Sequence, residues 1–174
     1  MNFNNISLIG FMGSGKTTVG IILSEKINFL FIDLDRIIEI AEEKSIPEIF
    51  KEKGEKYFRN LETEVIEKIY INKNCVFACG GGVIEKGENM NTIKSNSTVI
   101  YLNVSPPEAY NRLKDVKDRP LLETQSGKEG VKEIINNLIS RRDSLYRKYA
   151  DFIINTDKKK PEKIVGEILE KLEE

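Results

Sequence analysis

Gly10-Phe11-Met12-Gly13-Ser14-Gly15-Lys16-Thr17 carries the spacing GxxxxGK[ST]. It follows an apolar run, Ile6-Ser7-Leu8-Ile9, and opens a helical pattern. In that setting glycines let the backbone close around phosphate oxygens. Successive N–H groups and the helix N-terminus supply a positive field. The backbone from Gly13 to Thr18, Ser14 and Gly15 included, is then expected to hold the phosphates of a nucleoside triphosphate. Lys16 would reach its β- and γ-phosphates, and the Thr17 hydroxyl would face Mg2+. The motif does not by itself name a reaction. DxxG and NKxD, which hold magnesium and guanine in GTPase switches, do not occur in the sequence, and 174 residues are few for a mechanical ATPase. A compact nucleotide-binding chain of this kind points to small-molecule phosphoryl transfer.

The acceptor side should be acidic and hydrogen-bonding. Asp33-Leu34-Asp35 closes a second apolar run, and two carboxylates two residues apart share one side of an extended segment. One of them can orient magnesium through its waters, and the other can accept a hydrogen bond from the hydroxyl under attack. Asp35, just ahead of Arg36-Ile37-Ile38, could equally cap the next helix. Arg59 precedes Glu62 by three residues in a helical stretch, a spacing that allows an ion pair. Taken singly, Arg59 and Arg142 read as helix-surface residues. Arg119, in Arg119-Pro120-Leu121-Leu122, sits in a polar stretch suited to a lid over phosphates. Gly80-Gly81-Gly82 follows a third apolar run. No packing role is evident for three glycines, so a close backbone approach to a ligand is expected there.

The rest of the composition narrows the field. Histidine is absent, which excludes a Ser-His-Asp triad and any histidine metal site, so proton transfer must use other groups. A formal charge of -1 gives no net basic field for nucleic acid. Lys158-Lys159-Lys160, the densest basic cluster, reads as solvated. The two cysteines, Cys75 and Cys79, lie about 13 Å apart if that stretch is a strand, too far for a disulfide, and are expected to be buried. No apolar run is long enough to span a membrane and no basic segment precedes the first one. A cytoplasmic location is therefore expected.

These groups must be positioned by alternating elements. Strands are predicted at residues 6–9, 29–33, 75–78, 98–102 and 152–154. Helices are predicted at 16–26, 35–44, from Ser45 to about 71 with a break at Gly54, from Pro106 or Pro107, at 131–149 and at 161–172. Residues 115–129 show no period and read as a mobile loop. Strands separated by helices imply crossover connections, hence an α/β fold: a parallel sheet with helices on both faces and ligands at the carboxyl ends of its strands. Gly10, Asp33, Gly80 and Asn103 all fall at such ends.

Six segments in order resemble shikimate kinases: GFMGSGKTTVG at 10–20, DLD at 33–35, GEKYFRNLE at 54–62, GGGV at 80–83, RPLL at 119–122 and RRDSLY at 141–146. The resemblance spans about residues 5 to 170. It implies a single domain over residues 1–174 with the three-layer α/β/α P-loop kinase fold, its five-stranded parallel sheet like that of nucleoside monophosphate kinases. A substrate-binding region at about 33–62 and a lid at about 113–128 would move. The implied reaction passes the γ-phosphoryl of ATP, with Mg2+, to the 3-hydroxyl of shikimate, in a chain that acts as a monomer.

By the same resemblance, Thr17 and Asp33 serve the magnesium, and Asp35 binds the reacting hydroxyl. Arg59 and Arg142 grip the shikimate carboxylate, and Glu62 holds Arg59. Gly81, with Gly80 and Gly82, meets the substrate through its backbone. Arg119 reaches the transferring phosphate, and Arg112 stacks on adenine. The chain departs from the family pattern at two places. Glu123-Thr124-Gln125-Ser126-Gly127 stands where Asp-Pro often follows RPLL, and Ser144 stands where R-x-P-L-Y has proline. The alternatives are a kinase for another hydroxy acid such as gluconate, or a nucleotide-binding regulator without turnover. The triple glycine and the FRxxE segment favour shikimate over the first, and the presence of Lys16, Thr17, Asp33, Asp35 and Arg119 argues against the second.

Overall fold

Alternating side chains along the central strands face two different cores. Ile6 and Leu8 join one cluster with Val76, Ile100 and Leu102, while Ile9 joins another with Phe77, Val99 and Tyr101. A strand apolar on both sides must be covered on both sides, and here it is. The computed structural model describes residues 5–114 and 127–173. Its sheet has five strands: β1 (Asn5–Ile9), β2 (Leu30–Asp33), β3 (Cys75–Ala78), β4 (Thr98–Asn103) and β5 (Phe152–Asn155). They run in the order β2-β3-β1-β4-β5, every neighbouring pair parallel.

The helices are α1 (Lys16–Ile27), α2 (Leu34–Glu42), α3 (Ile46–Ile69), α4 (Gly87–Asn96), α5 (Pro106–Leu113), α6 (Gly127–Tyr149) and α7 (Pro161–Glu173). Helices α1 and α7 close one face through Val19, Leu23, Ile164, Val165 and Ile168. The C-terminal part of α3, with α4 and α6, closes the other through Ile66, Tyr70, Met90, Ile93 and Tyr146. The three-layer parallel arrangement expected from the sequence is therefore present. Since β1 lies between β3 and β4, the chain leaves it toward one edge and later crosses to the other, which opens a crevice at its carboxyl end. Among the described residues no helix is long and apolar enough to cross a membrane.

Beyond shifts of a residue or two at element ends, three features differ from the sequence reading. Residues 127–129 belong to the first turn of α6 rather than to a loop. Helix α4, and the short 3-10 turn Val83–Glu85 before it, escaped prediction, because GENMNTIKSN carries too few apolar residues to show a stripe. Asp35 does not extend the β2 segment: the helix begins at Leu34, so the two aspartates are not on an extended stretch. The break at Gly54 is real. With φ 79° and ψ 169° it interrupts α3 and divides it into two arms. Ser45 and Glu48 form the capping box at the start of that helix, with Pro47 in its first turn.

Candidate active site

The P-loop runs from the end of β1 into α1. Gly13 and Gly15 have φ of 78° and 97°, backbone that side chains other than glycine resist. Gly15 occupies the N-cap position and, having no side chain, does not itself cap the first amides of α1. Those N–H groups, with the helix dipole, suit an anion. Lys16 Nζ crosses the loop and donates to Gly10 O at 2.9 Å and Phe11 O at 3.0 Å. Thr17 Oγ1 donates to Asp33 Oδ2 at 2.8 Å, which sets two hard oxygen donors side by side at the loop. Ser14 is fully buried, its hydroxyl without a hydrogen-bond partner among the described residues, so its backbone is what it can offer a ligand.

Asp33 also accepts from Arg36 N at 3.3 Å as the N-cap of α2. Of the two readings open for Asp35, the cap falls to Asp33 instead, and Asp35 lies in the first helical turn, where it can serve a ligand. One cavity of about 770 Å3 joins these groups. Its wall includes Lys16, Thr17, Asp33, Asp35, Arg59, Glu62, the Gly80–Gly82 run and Arg142. The hydrophobic side, formed by Ile46, Pro47, Phe50 and Phe58 from α3, was not foreseen. The signal was present as apolar residues flanking the Gly54 break, but periodicity alone assigns such residues to a core.

Both arginines depart from the surface reading. Arg142 is 2% exposed, and the Arg59 side chain is 13% exposed. Arg59 donates to Glu62 at 3.1 Å and to Glu55 at 3.4 Å. Its Nε, one Glu62 carboxylate oxygen and Arg142 Nη1 are buried with no hydrogen-bond partner among the described residues. Buried donors and acceptors left unpaired are costly, so their gathering at one cavity favours a polar, anionic ligand. Burial pushes the Glu62 carboxyl up to about 7. The Arg59 guanidinium opposes that shift and the Asp35 carboxylate adds to it.

The triple glycine does have a packing role, contrary to the sequence reading. A Cβ on Gly80 would fall 2.8 Å from Glu62 Oε1 and 2.9 Å from Asp35 Oδ1, and one on Gly82 only 2.3 Å from Arg59 Nη2. Both positions are bare so that site side chains can lie against them. Only Gly81 has room, its nearest neighbours being at 3.6 Å. Its carbonyl accepts from the Tyr146 hydroxyl, and Tyr146 stacks on Tyr101 at 4.8 Å. Sequence reasoning gave no role to Tyr146, nor to Glu85, which accepts from Arg142 Nε at 3.1 Å.

Arg112 lies outside the cavity wall. It donates to Glu108, to Gly13 O at 3.1 Å and to Thr156 O at 2.7 Å, which ties the P-loop to the residue following β5. Those bonds occupy the edge of the guanidinium, so a base could meet only its faces. Arg119 and most of the expected lid lie outside the described residues. Cys75 and Cys79 are free and buried, as expected, and burial pushes the Cys79 thiol up to about 12. Ser144 leaves α6 unbroken where the family pattern has proline.

A parallel sheet with a P-loop at its central strand, facing carboxylates and buried arginines across one cavity, defines a kinase of the P-loop class. The sequence model of the family described as shikimate kinase matches residues 12–173. The shikimate kinase of Sulfurihydrogenibium sp. is 47% identical over 168 residues, 97% of each chain. The structure of shikimate kinase from Acinetobacter baumannii in complex with shikimate superposes with a TM-score of 0.93 at 34% identity, covering 98% of this chain and 93% of that one. Shikimate kinase from Aquifex aeolicus gives 0.82 at 41% identity, covering 97% and 96%. The chain belongs to the shikimate kinase family.

Proposed function

We propose that this chain transfers the γ-phosphoryl group of ATP to the 3-hydroxyl of shikimate, giving shikimate 3-phosphate and ADP on the route to chorismate and the aromatic amino acids. The observation that carries the reading is the shared cavity, in which the P-loop faces Asp35, Arg59 and Arg142. The amides of Gly13 to Thr18 and Lys16 hold the phosphates. The Thr17 and Asp33 oxygens, 2.8 Å apart, would hold magnesium, which would neutralise charge on the phosphates.

Asp35 orients the reacting hydroxyl and accepts its hydrogen bond. Arg59 and Arg142 offer planar forks to the substrate carboxylate, and two forks fix its orientation. Glu62 holds Arg59, and the Gly80–Gly82 backbone lies along the substrate. Arg119, from a lid at about 113–128, stabilises charge on the transferring phosphoryl group, and Arg112 lies beside the adenine. The region 33–62 closes on the substrate within one domain spanning residues 1–174. The protein works in the cytoplasm as a monomer.

The test is product identity. Phosphorus and proton NMR of a mixture with Mg-ATP and shikimate should show a phosphate ester on the 3-hydroxyl. An ester on another hydroxyl, or only free phosphate, would refute the reading.

A further inference from the structure

Arg142 reaches the cavity from α6 with its guanidinium nearly sealed from solvent. A planar group with rotatable bonds is useful to a carboxylate only if its plane is fixed. The fixing contact comes from Glu85, which ends the 3-10 turn Val83–Glu85. Glu85 Oε1 accepts from Arg142 Nε at 3.1 Å. The turn is itself anchored: Val83 and Ile84 are buried, and Glu85 N donates to Gly82 O at 3.0 Å. Four residues along α6, Tyr146 donates to Gly81 O. One face of α6 is therefore tied to the glycine turn at two successive helical positions.

The bond to Glu85 occupies the Nε edge of Arg142, while Nη1 is buried and has no hydrogen-bond partner among the described residues. Arg59 is held in the opposite sense: its Nη1 is taken by Glu62 and its Nε is the unpartnered donor. Arg59 thus has two glutamates on its terminal nitrogens, Glu62 and Glu55, whereas Arg142 has Glu85 on its Nε edge. Arg141 also approaches Glu85, at 3.5 Å, but its side chain is 73% exposed.

We propose that Glu85 is the positioning residue of Arg142, holding the Nε edge so that the free end of the guanidinium meets the substrate carboxylate. This rests on the reading of Arg142 as a carboxylate grip. Glu85 acts by reach rather than charge, because the Arg142 charge remains when Glu85 is neutralised.

The test is steady-state kinetics of Glu85→Ala, Glu85→Asp and Glu85→Gln, with Arg142→Ala alongside and thermal melts of each. Loss of a hydrogen bond to a charged group should raise the KM for shikimate about tenfold in the alanine variant and several-fold in the aspartate variant, whose acceptor is drawn back. The glutamine variant keeps an acceptor at the same reach and should hold that KM within about threefold. KM for ATP should not move in any of the three. An unchanged or lowered KM for shikimate in both the alanine and aspartate variants would overturn the inference, as would a parallel rise in KM for ATP. If Arg142→Ala raises the KM while the Glu85 variants do not, only the role of Glu85 falls. If Arg142→Ala also leaves it unchanged, the reading of Arg142 falls as well.

Discussion

Asp35 stands where the first turn of α2 meets the cavity, beside the bare edge of Gly80. A carboxylate there can orient a hydroxyl without contributing to nucleotide affinity. Asp35→Asn should lower turnover by roughly 10²–10⁴-fold, the range of general acid–base groups. Calorimetric titration should find its ATP affinity close to wild type, and turnover near wild type would show that Asp35 does not assist the hydroxyl. The glycines allow a second test. A Cβ at Gly82 meets the movable end of Arg59, so Gly82→Ala should displace that guanidinium rather than unfold the chain. The expected result is a raised KM for shikimate with a fall in melting temperature no larger than that of Arg59→Ala; a larger fall would contradict it. The P-loop was legible because its backbone chemistry is written in local spacing; the two aspartates do line the cavity, but from a helix start rather than from the extended segment their spacing suggested. The roles of Gly80, Gly82 and Glu85 were not legible, since each depends on a partner distant in the chain.

At the scale of elements, α3 shows what a sequence can and cannot announce. Ser45, Pro47 and Glu48 mark its start and Gly54 its break, all by local backbone chemistry. The aromatic wall formed by Phe50 and Phe58 depends on how the two arms turn about Gly54, which periodicity does not encode. Helix α4 and the early start of α6 lacked an apolar stripe and became visible only through packing. The strands were legible as short, largely apolar runs, and those of the central strands β1, β3 and β4 are covered on both faces. Two glycines separate backbone strain from space. Gly54 and Gly166 both have open room for a Cβ, but only Gly54 has positive φ. Gly54→Ala should destabilise by about 1–3 kcal/mol, whereas Gly166→Ala, inside α7, should stabilise by about 0.5–1 kcal/mol. Denaturant melts of the two variants check the pair, and equal effects of the same sign would refute the strain argument.

For the whole molecule, the switch point of the sheet gathers groups from β1, α2, α3, the β3 glycine turn and α6 into one cavity. Parallel topology was legible from the alternation of elements, and the family resemblance ordered the site. The depth to which Arg142 and Glu62 are buried came only with the structure. That burial has a global consequence. Glu62 has its folded pKa raised from 4.5 to about 7, so between those values the folded chain binds more protons than the unfolded one. Its contribution is most favourable below 4.5 and is lost as pH rises toward 7. The stability of Glu62→Gln relative to the native chain should therefore rise across that window and level off above it. Urea melts at a series of pH values would show this, and a flat or falling difference would contradict it.

The central claim is that this cavity joins ATP to shikimate. Its most direct test is ADP release, followed by a coupled assay with Mg-ATP and, separately, shikimate, gluconate, nucleoside monophosphates and no acceptor. Release that depends on shikimate alone is the predicted result. No release in any mixture despite demonstrable ATP binding, or release driven by another acceptor, would contradict the account.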